Sequence, residues 1–192
     1  MPGRAGVPRA GLNSTAVVEL AVALVDDEGL DALTLAAVAG RAGVAVPSLY
    51  KHIGSLAALR TAVALAGVRE LVRVSSVATV GVAGDEALRA VGYAIRDFAR
   101  THPGLYAATQ IAPAGDADLL AAAGEAVEVM GAVLRGFDVP PERTVDAIRA
   151  ARSAIHGFVT LEAGGGFGMP DDVDRSFDAL LDMLVHGIRA LG

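Results

Sequence analysis

The sequence contains no cysteine. That excludes disulfides and thiolate-held metal sites, and it fits a reducing compartment. Aromatic residues make up only 4% of the chain, although 53% of it is hydrophobic and most of that is Ala, Val and Leu. Small, helix-compatible side chains without β-branched runs bounded by turn pairs predict an all-α protein. No segment approaches ~18 uncharged apolar residues, so no membrane span is expected. Arg4 and Arg9 are not followed by an apolar stretch, so the N-terminus is not expected to be a secretory signal. A soluble, cytoplasmic protein is the expectation.

Marks of catalysis are also missing. The Gly run at 164–168 has no following Lys-Ser or Lys-Thr and no preceding strand, so it reads as a helix end and turn rather than a phosphate cradle. His52, His102, His156 and His186 stand far apart and form no H-x-x-x-H pair, so no metal site and no cofactor are expected. There is no G-x-S-x-G. The Asp171-Asp172 pair sits at a helix start, where the helix dipole favours carboxylates. Nothing in the sequence points to an enzyme.

What is present is organised around LAAVAGRAGVAVPSLYKHI, residues 35–53. A short helix over 35–42 leads through Gly43 into a second over 46–53. A turn this tight needs a residue at positive φ, which glycine reaches without a Cβ clash. Val38 and Ala42 share one face of the first helix, and Leu49 and Ile53 share one face of the second. Ala39, Val44 and Leu49 form the seam between them. Pro47, Ser48, Tyr50, Lys51 and His52 are left on the outer face, a mixture suited to the major groove of DNA. Charge supports this reading. Residues 32–69 hold Arg41, Lys51, Arg60 and Arg69 and no Asp or Glu, in a chain of net charge -6. That is a local basic patch of the kind phosphate contact requires.

The run TLAAVAGRAGVAVPSLYKHIGSLAAL resembles the DNA-binding domain of the TetR family of bacterial regulators. The matching residues are Thr34, the turn Ala42-Gly43-Val44, the run Leu49 to Ile53 and the pair Gly54-Ser55. Two positions depart from the pattern. Ala45 stands where many relatives carry a capping Ser or Thr, a loss on the order of 1 kcal/mol that Pro47 partly offsets. Leu56 stands where many carry a Lys that touches the DNA backbone. The stretch around His156-Gly157 resembles the C-terminal domain of a branch with a Trp-His-Gly motif, here without the Trp, and this weaker resemblance covers about residues 80–192.

Taken in order, residues 1–12 read as a flexible arm from which Arg4 or Arg9 can reach DNA. A helix-turn-helix domain follows over 13–75 and a helical regulatory and dimerisation domain over 76–192. The first helix starts at Asn13 or Ser14 and is ended by Gly29, and Thr34 and Ser55 cap the next ones. The fourth helix runs toward Val72 as plain core, and 75–84 reads as a linker. Five further helices fit 85–101, 103–110, 117–135 (buried stripe Leu120, Ala123, Val127, Met130), 142–163 and 171–191.

The resemblance implies a homodimer in which each subunit reads half of a pseudo-palindromic operator, as a ligand-responsive repressor. DNA contacts are expected from Thr34, Val46, Pro47, Ser48, Tyr50, Lys51 and His52. An apolar or aromatic effector is expected against Tyr93, Phe98, Tyr106, Gln110, Met130, His156 and Glu162. Phe158, Leu161, Phe177, Leu180 and Leu184 are the candidates for the dimer interface or the core beside it. The alternative is a helical small-molecule-binding protein whose head no longer reads a specific operator, which Ala45 and Leu56 favour.

Overall fold

The structure, a computed structural model, describes residues 12–192. The expectation for Arg4 and Arg9 lies outside the described residues. All regular structure among the described residues is helical: α1 (Ser14–Glu28), α2 (Leu35–Ala42), α3 (Val46–Leu49), α4 (Leu56–Ala78), α5 (Gly84–Thr101), α6 (Pro103–Ala108), α7 (Ala117–Leu134), α8 (Pro141–Ala163) and α9 (Val173–Arg189). Short 3-10 turns follow α1 and α7.

Five of the nine α-helices described are capped at the start by the side chain of the residue before them. Asn13, Thr34, Ser55, Asp116 and Asp172 have extended backbones, and their side chains accept N–H groups of the first turn. This satisfies donors that a helix end otherwise leaves open. Asp172 therefore caps α9 from outside, Asp171 lies before it, and Asp174 is the acid of the first turn. Gly43 adopts the left-handed conformation (φ 67°) that the turn between α2 and α3 demands.

Three expectations need correction. The linker expected over 75–84 is helical as far as Ala78, and Ser75 is buried. Helix α3 closes at Leu49 rather than Ile53, although Ile53 N–H still donates to Leu49 C=O (2.9 Å). On α7 the stripe is turned by one position: Leu119 and Ala122 are buried with Met130, while Leu120 and Val127 are exposed.

One apolar core runs from the head into the body. Val17, Leu24, Val38, Leu49 and Leu59 of the first four helices belong to the same cluster as Phe98, Leu105, Ile155 and Phe177. A second cluster joins α5, α7, α8 and α9 around Leu88, Val133, Leu134 and Ile188. Burying a Leu or Phe side chain is worth about 1.5–3 kcal/mol, so a core shared by head and body couples their positions.

Candidate nucleic-acid interface and effector cavity

The residues expected to touch DNA lie at the start of α2, in α3 and in the turn after it. Thr34 is exposed and caps α2, donating nothing inward: its Oγ1 accepts from Ala37 N–H at 3.1 Å. Pro47, Tyr50 and Lys51 are exposed, with Tyr50 at 55%, a high value for an aromatic ring. Val46, Ser48 and His52 are half-buried. The turn after α3 is fastened by Ser14 of α1, whose hydroxyl donates to the His52 carbonyl (2.8 Å). Lys51, the only lysine of the chain, is thus carried on the proposed reading element.

The missing cap at Ala45 is accommodated locally. Ala45 keeps the extended conformation of an N-cap (φ -75°, ψ 146°). Pro47 has no N–H to satisfy, and Ser48 N–H already donates to the Ala45 carbonyl at 2.8 Å. Leu56 is half-buried and packs against the core, where its side chain is no substitute for a cation.

The basic patch is smaller than the sequence suggests. Arg41 bridges Asp27 and Glu28 at the end of α1, at 2.7 Å each, and those hydrogen bonds raise its pKa. It neutralises acids instead of facing phosphates. Asp26 is engaged as well, by His102 and by the backbone of Leu105. The pairing disposes of the acidic cluster at the end of α1, and Lys51, Arg60 and Arg69 remain as exposed cations of the head with no carboxylate partner among the described residues.

In the body, α4 to α8 enclose a cavity of about 360 Å³, at the lower end of the range for small-molecule sites. Of the residues expected to meet an effector, Tyr106, Gln110, Met130 and His156 line it. The other three do not. Phe98 is buried in the core edge-on to Tyr106 (5.8 Å between ring centres). Tyr93 lies on the opposite face of α5 from the cavity residues Val91 and Ile95, and its hydroxyl donates to Asp178 of α9. Glu162 is drawn away by Arg96. Helix α4, expected to be plain core, is core only in its first half: Val68, Leu71, Val72 and Ser75 form part of the cavity wall.

Both arginines of the cavity escaped the sequence reading. Arg149 and Arg152 line the cavity with His156, and their i, i+3, i+7 spacing on one face was the available signal. Tyr106 Oη and His156 Nδ1 lie 3.1 Å apart. Burial pushes the Tyr106 phenol up to about 12 against the opposing charge of Arg152. Burial, aided by Arg152, lowers the His156 pKa, so the imidazole is neutral at pH 7.

A further unforeseen residue is Arg96, only 5% exposed. It sits between the rings of Phe158 and Phe177 (5.6 and 4.8 Å from their centres). Its guanidinium donates to both oxygens of Glu162 (2.6 and 2.8 Å) and pairs with Asp174 (2.7 Å). It ties the end of α8 to the start of α9, and its place on the buried stripe of α5, between Gly92 and Ala99, was the signal for it. Hydrogen bonding by Arg96 holds the Glu162 carboxyl below its usual range against the effect of burial. Among the interface candidates, Phe177 is fully buried inside the subunit and has no surface to offer a partner. Leu161 is 54% exposed, and Phe158, Leu180 and Leu184 are half-buried.

Among the described residues no group of three or more His, Asp or Glu is placed to hold a metal ion. No helix there is long and apolar enough to cross a membrane.

Residues 17–63 match the family model described as bacterial regulatory proteins of the tetR family, and residues 88–184 match the one described as tetracyclin repressor-like, C-terminal domain. An uncharacterized HTH-type transcriptional regulator of Mycobacterium tuberculosis is 35% identical, over 98% of this chain and 90% of that protein. Among solved structures, a protein of unknown function from Rhodococcus sp. RHA1 superposes with a TM-score of 0.78 at 23% identity, covering 95% of this chain and 98% of that one. A TetR variant from Acinetobacter baumannii, crystallised in complex with minocycline, does so with a TM-score of 0.72 at 24% identity, covering 94% and 98%.

Proposed function

The chain belongs to the TetR family of transcriptional regulators, and from that membership and the geometry above we propose that it is a homodimeric, ligand-responsive repressor of a pseudo-palindromic operator. Each head places α3 and the turn after it in the major groove. Pro47 and Ser48 face bases at the helix start, Val46 contributes an apolar contact, and Tyr50 and Lys51 face base edges or backbone. Thr34 and His52 contact phosphates. The two-fold axis of the dimer sets half-sites near a multiple of one DNA turn apart.

One observation carries the switch. Helix α6 lines the cavity through Tyr106, while its first turn is seated on α1 of the head. At Gly104 a Cβ would fall 1.8 Å from the Val25 carbonyl oxygen, so the two backbones touch with no side chain between them. A ligand that favours one position of α6 therefore favours one position of the head, and it changes operator affinity by its differential affinity for the two states. Dimerisation is assigned to the outer faces of α8 and α9. Leu161 and Met183 are exposed there, and Leu180 and Leu184 are half-buried beside them.

The test is selection of bound duplexes from a random DNA pool at near-physiological salt, followed by titration against a scrambled duplex. An inverted repeat bound ~10³-fold or more tightly than the scramble is the expected result. Weak, sequence-indifferent and strongly salt-dependent binding by a folded dimer would instead identify a ligand-binding protein whose head reads no operator.

A further inference from the structure

The cavity wall is apolar over most of its area and cationic at one end. Helices α4, α5 and α7 supply aliphatic side chains, with Met130 the longest among those of α7. Helix α8 supplies Arg149, Arg152 and His156. No Asp or Glu lines the cavity, in a chain that has 22 acidic residues against 16 basic ones. Of the other arginines of the body all but Arg135 meet a carboxylate, Arg89, Arg96, Arg175 and Arg189 among them. Arg149 and Arg152 form no ion pair with any described carboxylate. Arg152 is instead steered by Gln110, whose Oε1 accepts from its Nη2 at 3.3 Å. Gln110 is itself held by donating to Thr109 Oγ1 (2.7 Å), and the Thr109 hydroxyl donates to the Tyr106 carbonyl (2.7 Å).

This leaves a surplus of donors. A guanidinium has five N–H groups, and Gln110 takes one of those on Arg152. The Tyr106–His156 pair also has a proton to spare. If the phenol donates to Nδ1, the neutral imidazole carries its proton on Nε2. If Nδ1–H donates to the phenol oxygen, the phenol O–H remains. Either arrangement presents a donor beside two cations. Such a cluster is matched by a carboxylate, which only accepts and which pairs with a guanidinium through two parallel hydrogen bonds. The expectation of an apolar or aromatic effector thus describes only the larger part of the cavity.

We propose that the ligand of this cavity is an amphipathic organic anion, a carboxylate on an aliphatic or aromatic body, with the carboxylate at Arg149 and Arg152 and the body against the aliphatic wall. The proposal rests on the reading of this cavity as a ligand site, but not on operator binding.

The test is calorimetric titration of the full chain, without DNA, with decanoate and 2-naphthoate. Decanol, 2-naphthol and decylamine supply the same bodies with a neutral or cationic head. At least one carboxylate is expected to bind about tenfold or more tightly than its alcohol, the factor that charge-assisted hydrogen bonds supply, and decylamine weakest of all. Which body wins separates an aliphatic from an aromatic source. Because Arg149 and Arg152 are exposed, the double variant Arg149→Gln/Arg152→Gln should keep its helicity and its affinity for the alcohol while losing the preference for carboxylate. No binding of either carboxylate, equal binding of the alcohol or amine, or an unchanged preference in the variant would overturn the proposal. Carboxylate binding that leaves operator affinity unaltered would uphold the anion site and remove the switch proposed above.

Discussion

Asp26, near the end of α1, accepts a hydrogen bond from the backbone N–H of Leu105 in α6 at 2.8 Å. Its second oxygen lies 2.7 Å from His102 Nδ1, just before α6 begins. One carboxylate of the head therefore holds the first turn of a body helix that reaches the cavity. Replacing Asp26 by Ala strands a buried N–H, so Asp26→Ala should cost about 1–3 kcal/mol in urea unfolding. It should also shrink the factor by which a cavity ligand changes operator affinity. A variant that unfolds earlier yet keeps the full factor would show that Asp26 supports the fold without carrying the signal.

Lys51 and Tyr50 are the exposed residues on which recognition is staked. Lys51→Ala should weaken binding to operator and scrambled DNA alike and reduce the slope of log K against log salt by about 1. Tyr50→Ala should weaken operator binding while circular dichroism and dimerisation stay as they are, since neither side chain belongs to the core. Operator affinity unaltered in both variants would remove α3 and its following turn from the interface.

The cap position of α3 offers a prediction against the general trend. Introducing Ser at an uncapped N-cap commonly gains about 1 kcal/mol. Here the second helical position is Pro47, and Ser48 N–H is already bonded to the Ala45 carbonyl. Ala45→Ser should therefore change stability by less than about 0.5 kcal/mol. A rise in melting temperature equivalent to the full capping value would show that Ser48 N–H lacks a partner in solution.

Glu162 supplies a pH dependence. Its carboxyl is held below the ordinary range, first by hydrogen bonding to Arg96. A depressed folded-state pKa contributes stability that is present above the unfolded value and is lost as pH falls through the folded one. Glu162→Gln should therefore be less stable than the natural chain by about 1–3 kcal/mol near neutrality. The difference should narrow as pH drops through and below the carboxylate range. A gap that stays constant down to acid pH would mean that the Arg96 contact is not an ion pair in solution.

The helix-turn-helix was legible because its determinants are local. Thr34, Gly43, Ser55 and Asn13 act within four residues of themselves, through caps or a backbone conformation, and each does so as the sequence implies. The second half of the chain was legible as helices but not as a site. Tyr93, Phe98 and Glu162 have the chemistry of ligand contacts, yet one meets Asp178, one fills the core and one answers Arg96. Arg41 has the chemistry of a phosphate contact and is taken by Asp27 and Glu28.

The sequence by itself determined where the helices capped by Asn13, Thr34 and Ser55 begin, and which short stretch carries the side chains that suit DNA, because capping, periodicity and backbone preference act between near neighbours. Tertiary structure alone decided which charges are neutralised and which face an open space. Whether an arginine is a lock, as Arg96 is, or a cation beside a cavity, as Arg149 and Arg152 are, depends on what residues tens of positions away bring within about 4 Å. That proximity is set by the packing of α4 to α9 and by no property of the arginine itself.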